Sequence, residues 1–207
     1  MIEKLEISLT QFVDFVNKMG NAKLGVVKSA KNRDEYETYR DFYKSLRDGI
    51  VDLHKKDLGK EKLDGILESL RDEKKKKHYP ELISGYKKFL GRKKLEWFMP
   101  PRKDWKVGKL TIRINPELGL EEKRRNSASK FYVIKLYFKE EPLKRAQANQ
   151  ILTLMEMQLR SKVEPEIKFA ILDIRNNKFH IKENNDLSEL PLLQGEASSF
   201  ATIWNNL

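Results

Sequence analysis

Several residue types and segments that define common protein classes are missing from this sequence. It contains no cysteine, so it forms neither disulfides nor thiolate zinc sites, and this composition is typical of a cytoplasmic protein. The histidines, His54, His78 and His180, are far apart in the chain, which argues against a histidine-rich metal site. There is no run of about 18 apolar residues, and the N-terminal residues alternate between charged and apolar. We therefore expect neither a transmembrane helix nor a signal peptide.

Motifs for common cofactors and nucleophiles are absent as well. The chain has no Gly-x-Gly-x-x-Gly, no Gly-Lys-Ser/Thr phosphate loop and no Gly-x-Ser-x-Gly turn. Without cysteine it also has no thiol nucleophile. Carboxylates and lysines are therefore the side chains left to carry any chemistry.

Positive charge is the strongest compositional feature. The 207 residues include 42 Lys/Arg and 31 Asp/Glu, which gives a net charge of +11. Between Arg71 and Lys109 there are 14 Lys/Arg and 5 Asp/Glu, and Trp97, Phe98 and Trp105 lie among them. Cations suit phosphates and aromatic rings suit bases, so this stretch predicts DNA or RNA binding. The alternative is a solvated helix face whose aromatic residues belong to the core.

The candidate nucleic-acid-binding residues fall into three short basic clusters. They are Lys74, Lys75, Lys76 and Lys77, then Arg92, Lys93 and Lys94, then Lys123, Arg124 and Arg125. We expect these side chains to contact mainly phosphate, so that their binding is independent of base sequence.

Apolar residues recur at helical spacing through the first hundred residues. One predicted helix, Pro80–Gly91, begins at a proline and stops at a glycine. Another has a seam that repeats every three or four residues over about three heptads, formed by Tyr36, Tyr39, Tyr43, Leu46, Ile50 and Leu53. We favour an amphipathic helix packed within the monomer, with a homo-oligomer through the Tyr36–Leu53 seam as the alternative. Pro100-Pro101 separates a helical region, residues 1–99, from a sheet-containing region, residues 100–207.

The periodicity changes from helical to alternating just after the paired prolines. Leu110–Ile114 alternates like a half-buried strand, and Phe131–Phe138 is rich in aromatic and β-branched residues. The polar segment between them, residues 119–130, predicts a loop. A helix over residues 142–160 and a short strand, Phe169–Ile174, follow. We therefore predict an α+β fold with an N-terminal helical region, a small mixed β-sheet with a crossover helix, and a C-terminal helix.

This order of helix, two strands, helix and strand resembles the core of the PD-(D/E)XK nuclease-like superfamily, the restriction-endonuclease-like fold. In that family an acid ends the second strand and an acid-x-lysine follows on the third, and together they hold Mg²⁺ and position the attacking water. By this resemblance Pro116-Glu117 matches the first half of the motif, and Lys135 matches its lysine. The resemblance further implies catalytic roles for Glu117, Lys135 and Gln147, and metal ligation by Glu117 and Glu81.

One position departs from the family's motif. Val133 stands two residues before Lys135, where the family has Asp or Glu, and Glu156 is one candidate to replace that acid. The resemblance therefore implies either a nucleic-acid-binding protein that does not cleave or a Mg²⁺-dependent nuclease. A protein-interaction adaptor without nucleic-acid binding is the third alternative. For Asp173, an ion pair with Arg175 is the expected role.

Overall fold

The computed structural model describes residues 5–32, 42–183 and 186–207, and it confirms the predicted α+β class with a C-terminal helix. The α-helices of these residues are α1 (Leu9–Val16), α2 (Asn21–Lys31), α3 (Lys44–Lys55), α4 (Asp64–Glu68), α5 (Glu73–Leu90), α6 (Arg145–Leu159) and α7 (Leu190–Asn205). The strands are β1 (Glu6–Ser8), β2 (Lys94–Phe98), β3 (Lys103–Val107), β4 (Leu110–Ile114), β5 (Leu118–Lys123), β6 (Lys130–Tyr137), β7 (Lys168–Asp173) and β8 (Lys178–Ile181). Short 3₁₀ helices lie at Lys60–Leu63 and Arg160–Lys162.

The strands form two sheets. In the three-stranded sheet, β1 pairs in parallel with β4, and β3 pairs antiparallel to β4 on its other side. The five-stranded sheet has the order β2-β5-β6-β7-β8. Adjacent strands in this sheet are antiparallel, except β6 and β7, which are parallel and joined through α6. The chain leaves the first sheet and enters the second around Pro116, which has no N–H to donate to a strand ladder.

Helices cover both faces of the five-stranded sheet. Side chains such as Ile134 and Leu172 on one face share a core with residues of α3 and α5. Side chains such as Val133 and Phe169 on the other face share a core with residues of α1, α6 and α7. This three-layer arrangement explains why β6 carries apolar residues at both odd and even positions. It also buries Val133 completely.

Helix α5 approaches the sheet closely at Gly85. A Cβ at this position would lie 2.3 Å from the carbonyl oxygen of Ile174, so only glycine allows this packing. The helix begins at Glu73 because the Asp72 carboxylate accepts hydrogen bonds from the backbone N–H groups of Lys74, at 2.9 Å, and Lys75, at 3.2 Å. The predicted start at Pro80 was therefore wrong, and Pro80 lies inside the helix.

Three expectations about the strands were also wrong. The region of residues 1–99 is not entirely helical, since it contributes β1 to one sheet and β2 to the other. The predicted loop over residues 119–130 contains most of β5. The predicted strands Leu110–Ile114 and Phe131–Phe138 exist but belong to different sheets. The pairing of β1 with β4 and β2 with β5 ties residues before Pro100-Pro101 to residues after it.

The heptad-like seam packs inside the protein where the structure describes it. The apolar side chains of α3 are buried in the core shared with α5, namely Leu46, Ile50 and Leu53. Tyr43 stacks on Phe138 with ring centroids 5.1 Å apart. These contacts agree with an amphipathic helix packed within the monomer, while Tyr36 and Tyr39 lie outside the described residues. Among the helices of the described ranges, none is both long and apolar enough to cross a membrane.

His54 on α3 is a buried histidine whose protonation opposes folding. Its Nε2 lies 2.5 Å from the hydroxyl oxygen of Tyr86. Burial lowers the pKa of His54 to about 4, and the nearby Asp57 carboxylate acts in the opposite direction with a smaller effect. In the unfolded chain the same imidazole takes up its proton near pH 6.5, about the value for a free side chain.

We predict that the protein loses stability as the pH falls below about 6.5. The unfolded state binds the His54 proton first, so this contribution is complete above the unfolded pKa and is lost as the pH falls toward the folded pKa. Between about pH 6.5 and 5 the free energy of unfolding should fall by roughly 2 kcal/mol. Denaturant unfolding of the wild type and of His54→Gln measures the difference. Identical pH dependence in the two proteins would contradict the prediction.

Candidate functional site

Glu117 and Lys135 form a close pair at the point where β5 begins. The Glu117 N–H donates to the carbonyl oxygen of Ile134 at 3.0 Å, which aligns Glu117 beside β6. The Lys135 ammonium donates to Glu117 Oε1 at 2.5 Å and to the Asn115 carbonyl oxygen at 3.1 Å. The Leu136 N–H donates to Glu117 Oε2 at 2.8 Å. Both carboxylate oxygens of Glu117 are therefore engaged, in side chains that are only 10% (Glu117) and 14% (Lys135) exposed.

This pair lies in the wall of a cleft of about 430 Å³ between α3 and the first sheet. The charged side chains that line the cleft with the pair are Arg47, Asp48, Asp52, Arg102 and Arg113. Arg113 pairs with Glu6 at 3.0 Å, while Asp48 pairs with Lys44 at 2.6 Å and Asp52 with Lys56 at 2.7 Å. Most of the charge in the cleft is therefore already balanced by protein groups.

Sequence reasoning missed Asp48 and Asp52 as cleft residues. Their spacing of four places them on one face of α3, which is a visible signal. Nothing in the sequence indicated that this face of α3 would line the same cleft as Glu117, because that depends on how α3 packs against the sheets. Their ion pairs along the helix leave them about half exposed.

The other predicted catalytic and metal-binding residues are not brought to this pair. Glu81 forms an ion pair with Arg175 and does not line the cleft. Gln147 accepts a hydrogen bond from the Lys144 N–H at 3.1 Å and caps α6. Within residues 5–32, 42–183 and 186–207, no three His, Cys, Asp or Glu side chains come together in a group that could hold a metal ion. The residues as placed do not fit a Mg²⁺ site built from Glu117 and Glu81.

Two further acids have structural roles. Glu156, the candidate replacement for the missing acid, is buried on α6 and binds the Arg160 guanidinium through two contacts of 2.6 and 3.0 Å. Asp173 is fully buried and accepts hydrogen bonds from the N–H groups of Leu143, at 3.0 Å, and Asn176, at 3.2 Å. The expected pair of Asp173 with Arg175 was wrong, because Arg175 reaches Glu81 instead.

Two of the three basic clusters meet at one end of the five-stranded sheet. Lys94 at the start of β2 lies directly opposite Lys123 at the end of β5. We call the segments 88–96 and 121–130 together the hairpin end. It contains eight Lys/Arg and three Glu, so its charge is strongly positive.

Ion pairs order part of the hairpin end and leave other cations exposed. Lys123 pairs with Glu121 at 2.8 Å and with Glu96 at 3.3 Å, and hydrogen bonding to Glu121 raises the pKa of the Lys123 ammonium. Arg124 lies 3.6 Å from Glu122. The other exposed cations of the hairpin end form no ion pair with another described residue, namely Lys88, Arg92, Lys93, Lys94, Arg125 and Lys130. Lys93 donates instead to the carbonyl oxygen of Phe89. Arg92, Lys94 and Arg125 are the members of the two predicted clusters that are left to meet an outside anion.

The third cluster, Lys74–Lys77, lies at the opposite end of α5. The helix has 18 residues, which corresponds to a length of about 27 Å. Lys76 pairs with Glu73 at 2.8 Å, and the Lys75 ammonium lies 6.0 Å from the centre of the Phe42 ring. The three basic clusters therefore form two separate surfaces. One is the hairpin end, and the other is Lys74–Lys77 at the start of α5.

Comparison with known proteins does not assign the chain to a family. A scan against protein-family models gave no match, and a search of curated proteins also gave none.

Proposed function

We propose that this protein binds DNA or RNA through the phosphates, using the hairpin end as its main contact surface. The observation that carries the proposal is the pairing of β2 with β5, which sets Lys94 opposite Lys123 and joins two basic clusters. Like charges directly opposite each other in a sheet destabilise it. Since Lys123 is already paired with Glu121 and Glu96, while Lys94 forms no ion pair with another described residue, an anionic partner would bind through Lys94 and the other exposed cations around it.

The exposed cations also suit the geometry of a phosphate backbone. Arg92, Lys94 and Arg125 come from two chain segments at one end of the sheet and are exposed, which supports several phosphate contacts. The net charge of +11 adds a long-range attraction for nucleic acid. Phosphate contacts of this kind give affinity without base specificity.

We further propose that the Glu117–Lys135 pair maintains the fold and does not cleave the nucleic acid. Lys135 and the Leu136 N–H occupy both oxygens of Glu117. Val133, at the position of the family's second acid, is buried in the core. The order of α5, β2, β5, β6, α6 and β7, with β6 and β7 parallel, supports a nuclease-like core, although β3 and β4 come between β2 and β5 and the strand first matched to that core, Leu110–Ile114, belongs to the other sheet.

Binding to labelled oligonucleotides over a series of salt concentrations tests this proposal. We expect affinity to fall steeply with salt, with little difference between base sequences. Absence of binding at low salt would contradict the proposal and would favour the adaptor alternative. Cleavage of DNA or RNA in the presence of Mg²⁺ or Mn²⁺ would instead support the nuclease alternative, and Lys135→Ala should then abolish cleavage.

A further inference from the structure

A small cavity with aromatic walls lies beside the hairpin end. It has a volume of about 220 Å³ and lies between α5 and the strands β2, β5, β6 and β8. Its apolar walls are formed by Phe89, Leu95, Leu120, Tyr132, Ile134 and Phe179. The Phe179 ring lies 5.5 Å from the Phe89 ring and 5.3 Å from the Tyr132 ring, centroid to centroid. Since a cavity of about 150 Å³ can hold benzene, this one accommodates a somewhat larger planar ring.

Two lysines and one glutamate are the charged residues in the lining of this cavity. Lys88 and Lys93 line it and are exposed to solvent. The Lys93 ammonium lies 4.3 Å from the centre of the Phe89 ring. Lys88 and Lys93 also belong to the hairpin end, so the cavity adjoins it, whereas Lys94 and Lys123 lie on the opposite face of the sheet from the cavity-lining Leu95 and Glu122. A ligand that places a ring inside would place an attached anionic group against Lys88 and Lys93.

Polar groups in the lining indicate the kind of ring. Glu122 and Asn177 both line the cavity, and they can accept or donate hydrogen bonds at the edge of a heteroaromatic ring. Burial raises the pKa of the Tyr132 phenol, and Glu122 adds to this effect. Like any tyrosine at neutral pH, Tyr132 carries its hydroxyl proton and can donate a hydrogen bond. Glu122 already lies 3.6 Å from Arg124, so Asn177 and the Tyr132 hydroxyl are the groups that a nucleobase edge could contact and a hydrocarbon ring could not.

We infer that this cavity receives one unstacked base of a single-stranded nucleic acid whose phosphates contact the hairpin end. The inference rests on the proposed function and adds its substrate class. Bases in a duplex are paired and stacked, so only a single strand presents a free base at low cost. Aromatic walls with cations outside are the combination that recognises single strands.

A cavity-filling variant tests the inference. Leu95→Trp occupies the space and leaves every charge in place. We would measure the binding of a short labelled single-stranded DNA and of an abasic strand of the same length. The wild type should prefer the strand with bases by about 10-fold. Leu95→Trp should bind both strands with the wild type's affinity for the abasic strand and with unchanged salt dependence.

A second variant guards against local misfolding of the first. Phe179→Leu removes one aromatic wall without adding volume, and it should also reduce the preference for bases, with circular dichroism unchanged. Equal affinity of the wild type for the two strands would overturn the inference and leave nucleic-acid binding intact. No binding of either strand would overturn the proposed function itself. Binding of a free nucleoside monophosphate as tight as that of the strand would overturn the inference by making the cavity a small-ligand site.

Discussion

Replacing Glu117 with alanine should lower the free energy of unfolding by about 3 kcal/mol. The substitution leaves the Lys135 ammonium, only 14% exposed, without its carboxylate partner, and it removes the acceptor of the Leu136 N–H. Losing one member of a buried pair costs more than the pair contributes, because the remaining charge stays desolvated. For a chain of this length the midpoint of thermal unfolding should fall by roughly 6–12 °C. Thermal and urea unfolding followed by circular dichroism measure both quantities.

A double variant separates the structural role of this pair from a catalytic one. Glu117→Gln with Lys135→Met keeps an acceptor for the Leu136 N–H and removes both charges, so stability should recover most of the loss. Nucleic-acid affinity should also stay near that of the wild type, because the pair lies away from the hairpin end. Wild-type stability in Glu117→Ala would show that Lys135 does not depend on this partner. Loss of an otherwise measurable cleavage activity in the double variant would show that the pair is catalytic.

The strands that could be predicted are those whose side chains enter a continuous core. β4, β6 and β7 have alternating or uniformly apolar sequences because a helix layer covers the sheet on one or both faces. β5 could not be recognised in the same way. Only its first half is buried, through Leu118 and Leu120, and it continues as the polar Glu121, Glu122 and Lys123 toward the hairpin.

The contacts of the site residues also differ in how far they could be predicted from the sequence. The proximity of Glu117 and Lys135 was an expectation of the resemblance, and in the structure it comes from the antiparallel pairing of β5 with β6, which sets Leu118 opposite Ile134. The ion-pair partner of Glu81 cannot be predicted from the order of residues along the chain. Arg175 reaches Glu81 because α5 lies against the end of β7, where the carbonyl of Ile174 is directly beneath Gly85. Contacts of this kind depend on tertiary packing and leave no local pattern.

Reversing three charges at the hairpin end should weaken nucleic-acid binding by at least about 100-fold at roughly 0.1 M salt. The variant is Arg92→Glu, Lys94→Glu and Arg125→Glu, chosen because these exposed side chains form no ion pair with other described residues. Their replacement therefore removes phosphate contacts and adds repulsion without breaking an internal pair. For a single strand, the slope of log affinity against log salt should become shallower by about 2, as three phosphate contacts are lost.

A variant with the same change in net charge at the other end of α5 is the matched control. Lys74→Glu, Lys75→Glu and Lys77→Glu alter the basic surface that lies about 27 Å away along the helix. If the hairpin end is the main contact surface, this control should weaken the binding of a short strand by much less than the first variant. Equal losses in the two variants would mean that net charge alone sets the affinity. A larger loss in the control would show that the main contact surface is the N-terminal end of α5. The aromatic cavity would then lie away from the bound strand, and no base would be expected to enter it.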